Sequence, residues 1–128
     1  MKRILLAEDD LDFGNILKQY LEISGYNITW AKDGQEALEK LLGGLSVQAV
    51  ICDVEMPRLD GYGVLEELRE QAEFSELPIL MLTSRSSEKH RKLAMNLGAT
   101  DYFSKPYNEQ ELLRQLKQLT RAPETAMV

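Results

Sequence analysis

Ile4-Leu5-Leu6-Ala7 runs without a polar break straight into Glu8-Asp9-Asp10. Two later stretches have the same character. Val47 to Cys52 is interrupted only by Gln48 and ends at Asp53, and Ile79-Leu80-Met81-Leu82 ends at Thr83-Ser84. None of the three alternates apolar with polar residues. A strand covered on one face alternates and a strand covered on both does not, so these runs predict the buried strands of a parallel sheet. Tyr26 to Trp30 does alternate and reads as a strand nearer an edge. Thr100 to Ser104 is a fifth candidate.

Between the runs the apolar period becomes helical. Phe13, Ile16, Leu17, Tyr20 and Leu21 form one stripe, closed by Gly25. Asp33 with Glu36 opens a helix through Ala37, Leu38, Leu41 and Leu42. A third begins near Asp60-Gly61 and carries Tyr62, Leu65 and Leu68. A fourth holds Leu93, Ala94 and Leu97, with Gly98 as its stop. Asn108 with Glu111 opens a fifth through Leu112, Leu113, Leu116 and Leu119. Strand and helix thus alternate five times, which implies an α/β fold: a parallel sheet with right-handed crossovers and helices on both faces.

The 128 residues suit one domain, assigned to residues 1–120, with residues 121–128 as a tail or linker stub. The net charge of −6 gives no general attraction to phosphate backbones or anionic lipid, so direct nucleic-acid or membrane partners are not expected. Apolar runs of at most four residues exclude a transmembrane helix, and Ile4 to Ala7 is too short for a signal-peptide core. A single cysteine, Cys52, excludes an internal disulfide and a cysteine-based metal site. A cytoplasmic protein is expected, and because the sequence ends after the fifth helix, no output domain.

In open parallel sheets ligands bind beyond the carboxyl ends of the strands. There this chain places Glu8, Asp9 and Asp10 after the first run, Asp53 after the third strand, Thr83 and Ser84 after the fourth, and Lys105-Pro106 after the fifth. Carboxylates about 4–5 Å apart repel by roughly 3–4 kcal/mol at an effective dielectric near 20. Either some take up protons or a cation sits among them. The donors are all oxygens, which selects Mg²⁺, Mn²⁺ or Ca²⁺, and Mg²⁺ best suits a site with few carboxylates and room for phosphate oxygens. Glu8, Asp9 and Asp53 against a divalent cation and Lys105 form a neutral set that can receive a phosphoryl dianion. A carboxylate there is a competent nucleophile, and Asp53 is the best placed.

The segments Leu6-Ala7-Glu8-Asp9-Asp10, Cys52-Asp53-Val54-Glu55-Met56-Pro57-Arg58-Leu59-Asp60-Gly61, Leu82-Thr83-Ser84 and Lys105-Pro106 resemble the receiver domains of two-component response regulators. The likeness is to the single-domain, chemotaxis-regulator kind and runs from about Lys2 to Leu119. It implies a flavodoxin-like doubly wound sheet of strand order 2-1-3-4-5. Asp53 would accept the phosphoryl group, with Lys105 contacting it. Asp9 would bind Mg²⁺ directly, Glu8 mainly through water, and Glu55 through its backbone carbonyl, leaving the Glu55 side chain free to vary. Thr83 and Tyr102 would be the switch residues, and the Lys105-Pro106 peptide would be cis. Arg85 and the Glu55 side chain would sit where water approaches the acyl phosphate.

The resemblance also implies partners: a sensor histidine kinase or phosphotransfer protein as donor, and a downstream protein target. A homodimer through the face of the fourth and fifth helices is compatible with it. It describes a switch that assists its own phosphorylation and dephosphorylation and is not a conventional turnover enzyme. Two other readings stand beside it. A haloacid-dehalogenase-like phosphohydrolase also uses Asp, Mg²⁺, Thr and Lys, but Asp53-Val54-Glu55 lacks its second Asp. A receiver-like adaptor independent of phosphorylation usually loses the acceptor Asp or the Lys, and both are present.

Residues outside this set have plainer readings. Glu8-Asp9-Asp10 suits a helix N-terminus in its own right. His90, the sole histidine, reads as a solvated residue of the fourth helix, and Cys52 and Trp30 as packing. Arg85, Lys89, Arg91 and Lys92 make a basic stretch in an acidic chain, either a solvated helix face or a docking patch.

Overall fold

The computed structural model describes residues 2–84 and 87–121. Arg85 and the 122–128 portion of the expected tail lie outside the described residues. Five strands alternate with five helices: β1 Arg3–Ala7, α1 Leu11–Ile23, β2 Asn27–Ala31, α2 Gly34–Leu42, β3 Ala49–Asp53, α3 Gly61–Arg69, β4 Ile79–Thr83, α4 Glu88–Asn96, β5 Asp101–Ser104 and α5 Glu109–Thr120. All pairings are parallel, in the order β2-β1-β3-β4-β5. This is the expected sheet, with the reading of Tyr26–Trp30 as an edge strand confirmed by β2.

Side-chain alternation within the central strands explains why their sequences are apolar throughout. Leu5, Ala7, Val50, Cys52, Ile79 and Met81 face α2, α3 and Ala94 of α4, while Ile4, Leu6, Ala49, Ile51, Leu80 and Leu82 face Leu17 and Leu21 of α1 and Leu112 and Leu116 of α5. Successive residues point to opposite faces, and here both faces are dry. Trp30 packs so closely on α1 that a Cβ at Gly14 would overlap its ring.

The helix starts follow side-chain capping. Asp10, Asp33, Asp60, Ser87 and Asn108 each accept from a backbone amide three residues on, satisfying donors that the first turn leaves unpaired. Gly25 and Gly98 follow their helices with φ of 103° and 106°, the left-handed region open to glycine. A 3-10 turn at Ala72–Phe74 after α3 has no counterpart in the sequence reading. It is tied down by Arg69, whose guanidinium donates to the carbonyls of Phe74 and Gly98. Among the described residues of α4 only Ala94 is buried, so this helix is held by less apolar contact than its neighbours. None of the described helices is long and apolar enough to cross a membrane.

Candidate functional site

β1 and β3 are adjacent, with Ala7 paired to Cys52. The residues that follow this pair, Glu8 and Asp53, therefore leave the sheet side by side. Both are buried, while Asp9 is exposed. Carboxylate oxygens of Glu8, Asp9 and Asp53 lie within 4.8 Å of one another. Lys105 closes the set from the turn after β5, where its amide donates to the Thr83 carbonyl at 2.7 Å and its peptide to Pro106 is cis, as expected. Its ammonium lies 2.9 Å from Glu8 Oε1 and 3.5 Å from Asp53 Oδ2. The same ammonium stands 4.0 Å from the centroid of the Phe13 ring, which meets Tyr107 edge-on at 5.7 Å.

Glu8 is further fixed by its backbone. Its amide donates to the Ala31 carbonyl, and its own carbonyl accepts from Trp30 Nε1 at 2.9 Å. Its second carboxylate oxygen accepts from the Asp10 amide at 3.1 Å. Asp53 is held less completely. Its Oδ1 is buried and accepts no hydrogen bond from the described residues. Burial, then the neighbouring Glu8 carboxylate, push the Asp53 carboxyl up to about 7, against the lowering pull of Lys105. Lys105 itself is raised: burial works against its charge, but Glu8 and Asp53 outweigh burial.

The loop after β3 doubles back over the site. The Gly61 amide donates to the Val54 carbonyl at 2.9 Å, and a Cβ at Gly61 would strike the Asp53 carbonyl. Arg58 in this loop adopts a φ of 69°. Glu55 emerges on the other side, toward the end of β4. Its two carboxylate oxygens accept from Thr83 Oγ1 at 2.8 and 2.7 Å, and Oε1 also from Ser84 Oγ at 2.6 Å and the Ser84 amide at 3.2 Å. Burial opposes the Glu55 charge, but the Ser84 and Thr83 hydrogen bonds win and hold its carboxyl below the ordinary range. Tyr102 is buried beside them; burial first, then the neighbouring Tyr62, push its hydroxyl up to about 12.

The structure thus gathers Glu8, Asp9, Asp53 and Lys105 into one pocket and sets Thr83, Glu55 and Tyr102 along its flank. Sequence reasoning did not anticipate Phe13 beside the ammonium, Trp30 on the Glu8 carbonyl, or the engaged side chain of Glu55, which it took as free to vary. His90 lies on α4, its ring against Ser87 Oγ, in keeping with a surface role. The donor set fits a small hard divalent cation. Three carboxylates converge, one oxygen is buried without a partner among the described residues, and no soft ligand is among the clustered residues.

Fold and site together define a doubly wound α/β domain with an acidic, lysine-backed pocket at its topological switch point. The chain belongs to the response regulator receiver domain family, whose model matches residues 4–117. It is therefore a two-component signalling domain of a family that is not one of conventional enzymes. It is 40% identical over 121 residues to the transcriptional regulatory protein CpxR of Klebsiella pneumoniae, covering 94% of this chain and 50% of that protein. The chain spans about half the length of the curated relatives it matches. A putative response regulator from Chloroflexus aurantiacus superposes with a TM-score of 0.87 at 34% identity, covering 93% of this chain and 97% of that one. The receiver domain of the sensor histidine kinase PA1611 from Pseudomonas aeruginosa, with a magnesium ion coordinated in its active-site cleft, gives 0.84 at 30% identity, covering 93% and 97%.

Proposed function

We propose that Asp53 is the phosphoryl acceptor of a Mg²⁺-dependent switch, charged by the phosphohistidine of a sensor histidine kinase or phosphotransfer protein. A carboxylate oxygen of Asp53 forms the new P–O bond as the P–N bond to the donor imidazole breaks, and the bonding pair leaves with the imidazole. Glu8, Asp9, Asp53 and the backbone carbonyl of Glu55 would hold Mg²⁺, which when bound neutralises charge on the transferring oxygens. Lys105 supplies the protein's own positive charge and is held ready by Glu8 and Phe13. Glu8 keeps that ammonium over Asp53 and in turn is anchored through Trp30 and Asp10.

After transfer, the Thr83 hydroxyl turns to the new phosphoryl oxygens and Tyr102 changes its packing in response. The β4–α4 turn and the lightly packed α4 carry this change to the surface. A few kcal/mol of coupling suffices to alter affinity for a downstream protein target. The chain supports its own phosphorylation and dephosphorylation without turning over a substrate as a conventional enzyme does. Its acidic surface suits a cytoplasmic domain that acts by docking to proteins and not to nucleic acid or membrane. Residues 1–120 form the signalling unit and 121–128 a tail or linker. Pairing through α4 and α5 gives a homodimer if the switch acts through self-association.

The observation that carries this reading is the buried Oδ1 of Asp53, without a partner among the described residues, set among two further carboxylates with an ammonium 3.5 Å from its other oxygen. Incubation with acetyl phosphate and Mg²⁺ is expected to add one phosphoryl group by intact mass. Omission of Mg²⁺ or the substitution Asp53→Ala abolishes it. Equal labelling of Asp53→Ala overturns the assignment.

A further inference from the structure

Among the described residues the Glu55 carboxylate makes four hydrogen-bond contacts, to Thr83 at the end of β4 and to Ser84 just beyond it. Thr83 is fully buried, and a hydroxyl has a single proton to donate. While that proton is held by the Glu55 carboxylate it is not available to an oxygen on Asp53. A bond from a hydroxyl to a carboxylate belongs to the stronger, charge-assisted kind. The Ser84 amide and hydroxyl grip the same carboxylate, so the first residue of the β4–α4 turn is tied to the loop that follows Asp53. Tyr102 is buried and its hydroxyl feels both Thr83 and Tyr62 of α3, so it shares the same polar cluster.

We propose that Glu55 is a positioning residue that latches the domain in its resting state, holding the Thr83 hydroxyl and the Ser84 turn until phosphorylation competes for them. This rests on the reading of Asp53 as phosphoryl acceptor and adds a brake to it. The latch makes resting and switched states mutually exclusive at one proton. It also sets the fraction of molecules in which α4 moves without a signal. Because Glu55 is itself negative and near Asp53, its removal has two effects: less repulsion of an incoming anion, and release of Thr83. Only the second depends on the Thr83 hydroxyl.

The test measures affinity of the full chain for beryllium fluoride at saturating Mg²⁺ in wild type, Glu55→Ala, Glu55→Gln, Thr83→Ala and the Glu55→Ala/Thr83→Ala pair. Charge removal alone is expected to tighten binding by about threefold in either background. Release of the latch adds to this in the Thr83 background only, giving about tenfold in all for Glu55→Ala. Glu55→Gln loses the same charge but keeps an acceptor oxygen, so it falls between wild type and Glu55→Ala. Independently of any bound anion, the Thr83 methyl resonance of metal-free Glu55→Ala is expected to move toward its position in the beryllium fluoride complex. Equal tightening with and without the Thr83 hydroxyl, or by alanine and glutamine alike, overturns the latch. So does an unchanged affinity in a wild-type background that responds. A wild-type chain with no Asp53-dependent response overturns the acceptor reading as well.

Discussion

The ammonium of Lys105 lies 2.9 Å from the carboxylate of Glu8, a residue only 1% exposed. The two are 97 positions apart, and the contact joins the turn after β5 to the end of β1. Removing one partner of a buried pair leaves an uncompensated charge, at a cost of about 3–5 kcal/mol in fully dry sites. Lys105 keeps some solvent access, which places the expected loss for Lys105→Met at the low end, about 3 kcal/mol. Urea unfolding of metal-free protein checks this. Mg²⁺ is expected to restore much of the loss, since it supplies positive charge to the same carboxylates.

Asp53 gives the metal-free protein a particular response to pH. Its carboxyl is raised above the unfolded value, by burial first and by the Glu8 carboxylate second, with Glu55 adding and Lys105 opposing. A raised carboxyl means the folded state binds the proton more tightly than the unfolded chain does. The favourable contribution is full below the ordinary Asp range near 3.9 and is lost as pH rises through about 7. In a chelator, this group therefore lowers the melting temperature as pH rises from about 4 to about 7. Asp53→Asn removes that slope, and Mg²⁺ in excess flattens it because the cation takes the proton's place. Mg²⁺ affinity accordingly rises over the same interval.

The fold was legible because its signals are local. Three continuous apolar runs marked the doubly covered strands, and Asp33, Asp60 and Asn108 marked helix starts that the structure caps with those side chains. The acids and Lys105 were legible because strand ends in a parallel sheet converge on one edge. What escaped notice depends on partners distant in sequence. Glu55 meets Thr83 across 28 positions, and its bond follows from how the loop after β3 folds back, which no run or period records. Phe13 reads from the sequence only as a member of a helical stripe, yet it sits in the first turn, where α1 opens toward Lys105. Arg69 links the 3-10 turn at Ala72–Phe74 to the Gly98 carbonyl, 29 positions further along the chain, a tie absent from any local pattern.

Gly61 fixes how closely the first turn of α3 approaches the acceptor. A methyl group there would overlap the Asp53 carbonyl and lie 2.9 Å from both Met81 Cε and Val54 Cα. Met81 can give, but the two backbone atoms belong to β3 and the strand-end loop. Gly61→Ala is expected to cost about 1–3 kcal/mol through overpacking. It should also weaken Mg²⁺ binding, because relief of the clash shifts Asp53 itself. Denaturant unfolding and a Mg²⁺ titration followed by Trp30 fluorescence check the two parts.

Phe13 offers a way to disturb Lys105 without touching a charged group. The ring faces the ammonium at 4.0 Å and is braced edge-on by Tyr107. A partly exposed cation over a ring is stabilised by about 0.5–1 kcal/mol. Phe13→Leu keeps apolar volume in the first turn of α1 while removing the quadrupole. Folding stability should therefore fall only slightly, whereas the ammonium loses one of its three restraints and samples positions away from Asp53. The expected signature is slower phosphorylation by acetyl phosphate, by about two- to fivefold if the energy of the ring contact is lost in full. Phe13→Tyr retains the ring and should keep the wild-type rate. If leucine and tyrosine variants react alike, the ring does not position Lys105, and Glu8 and Asp53 hold it without help from the ring.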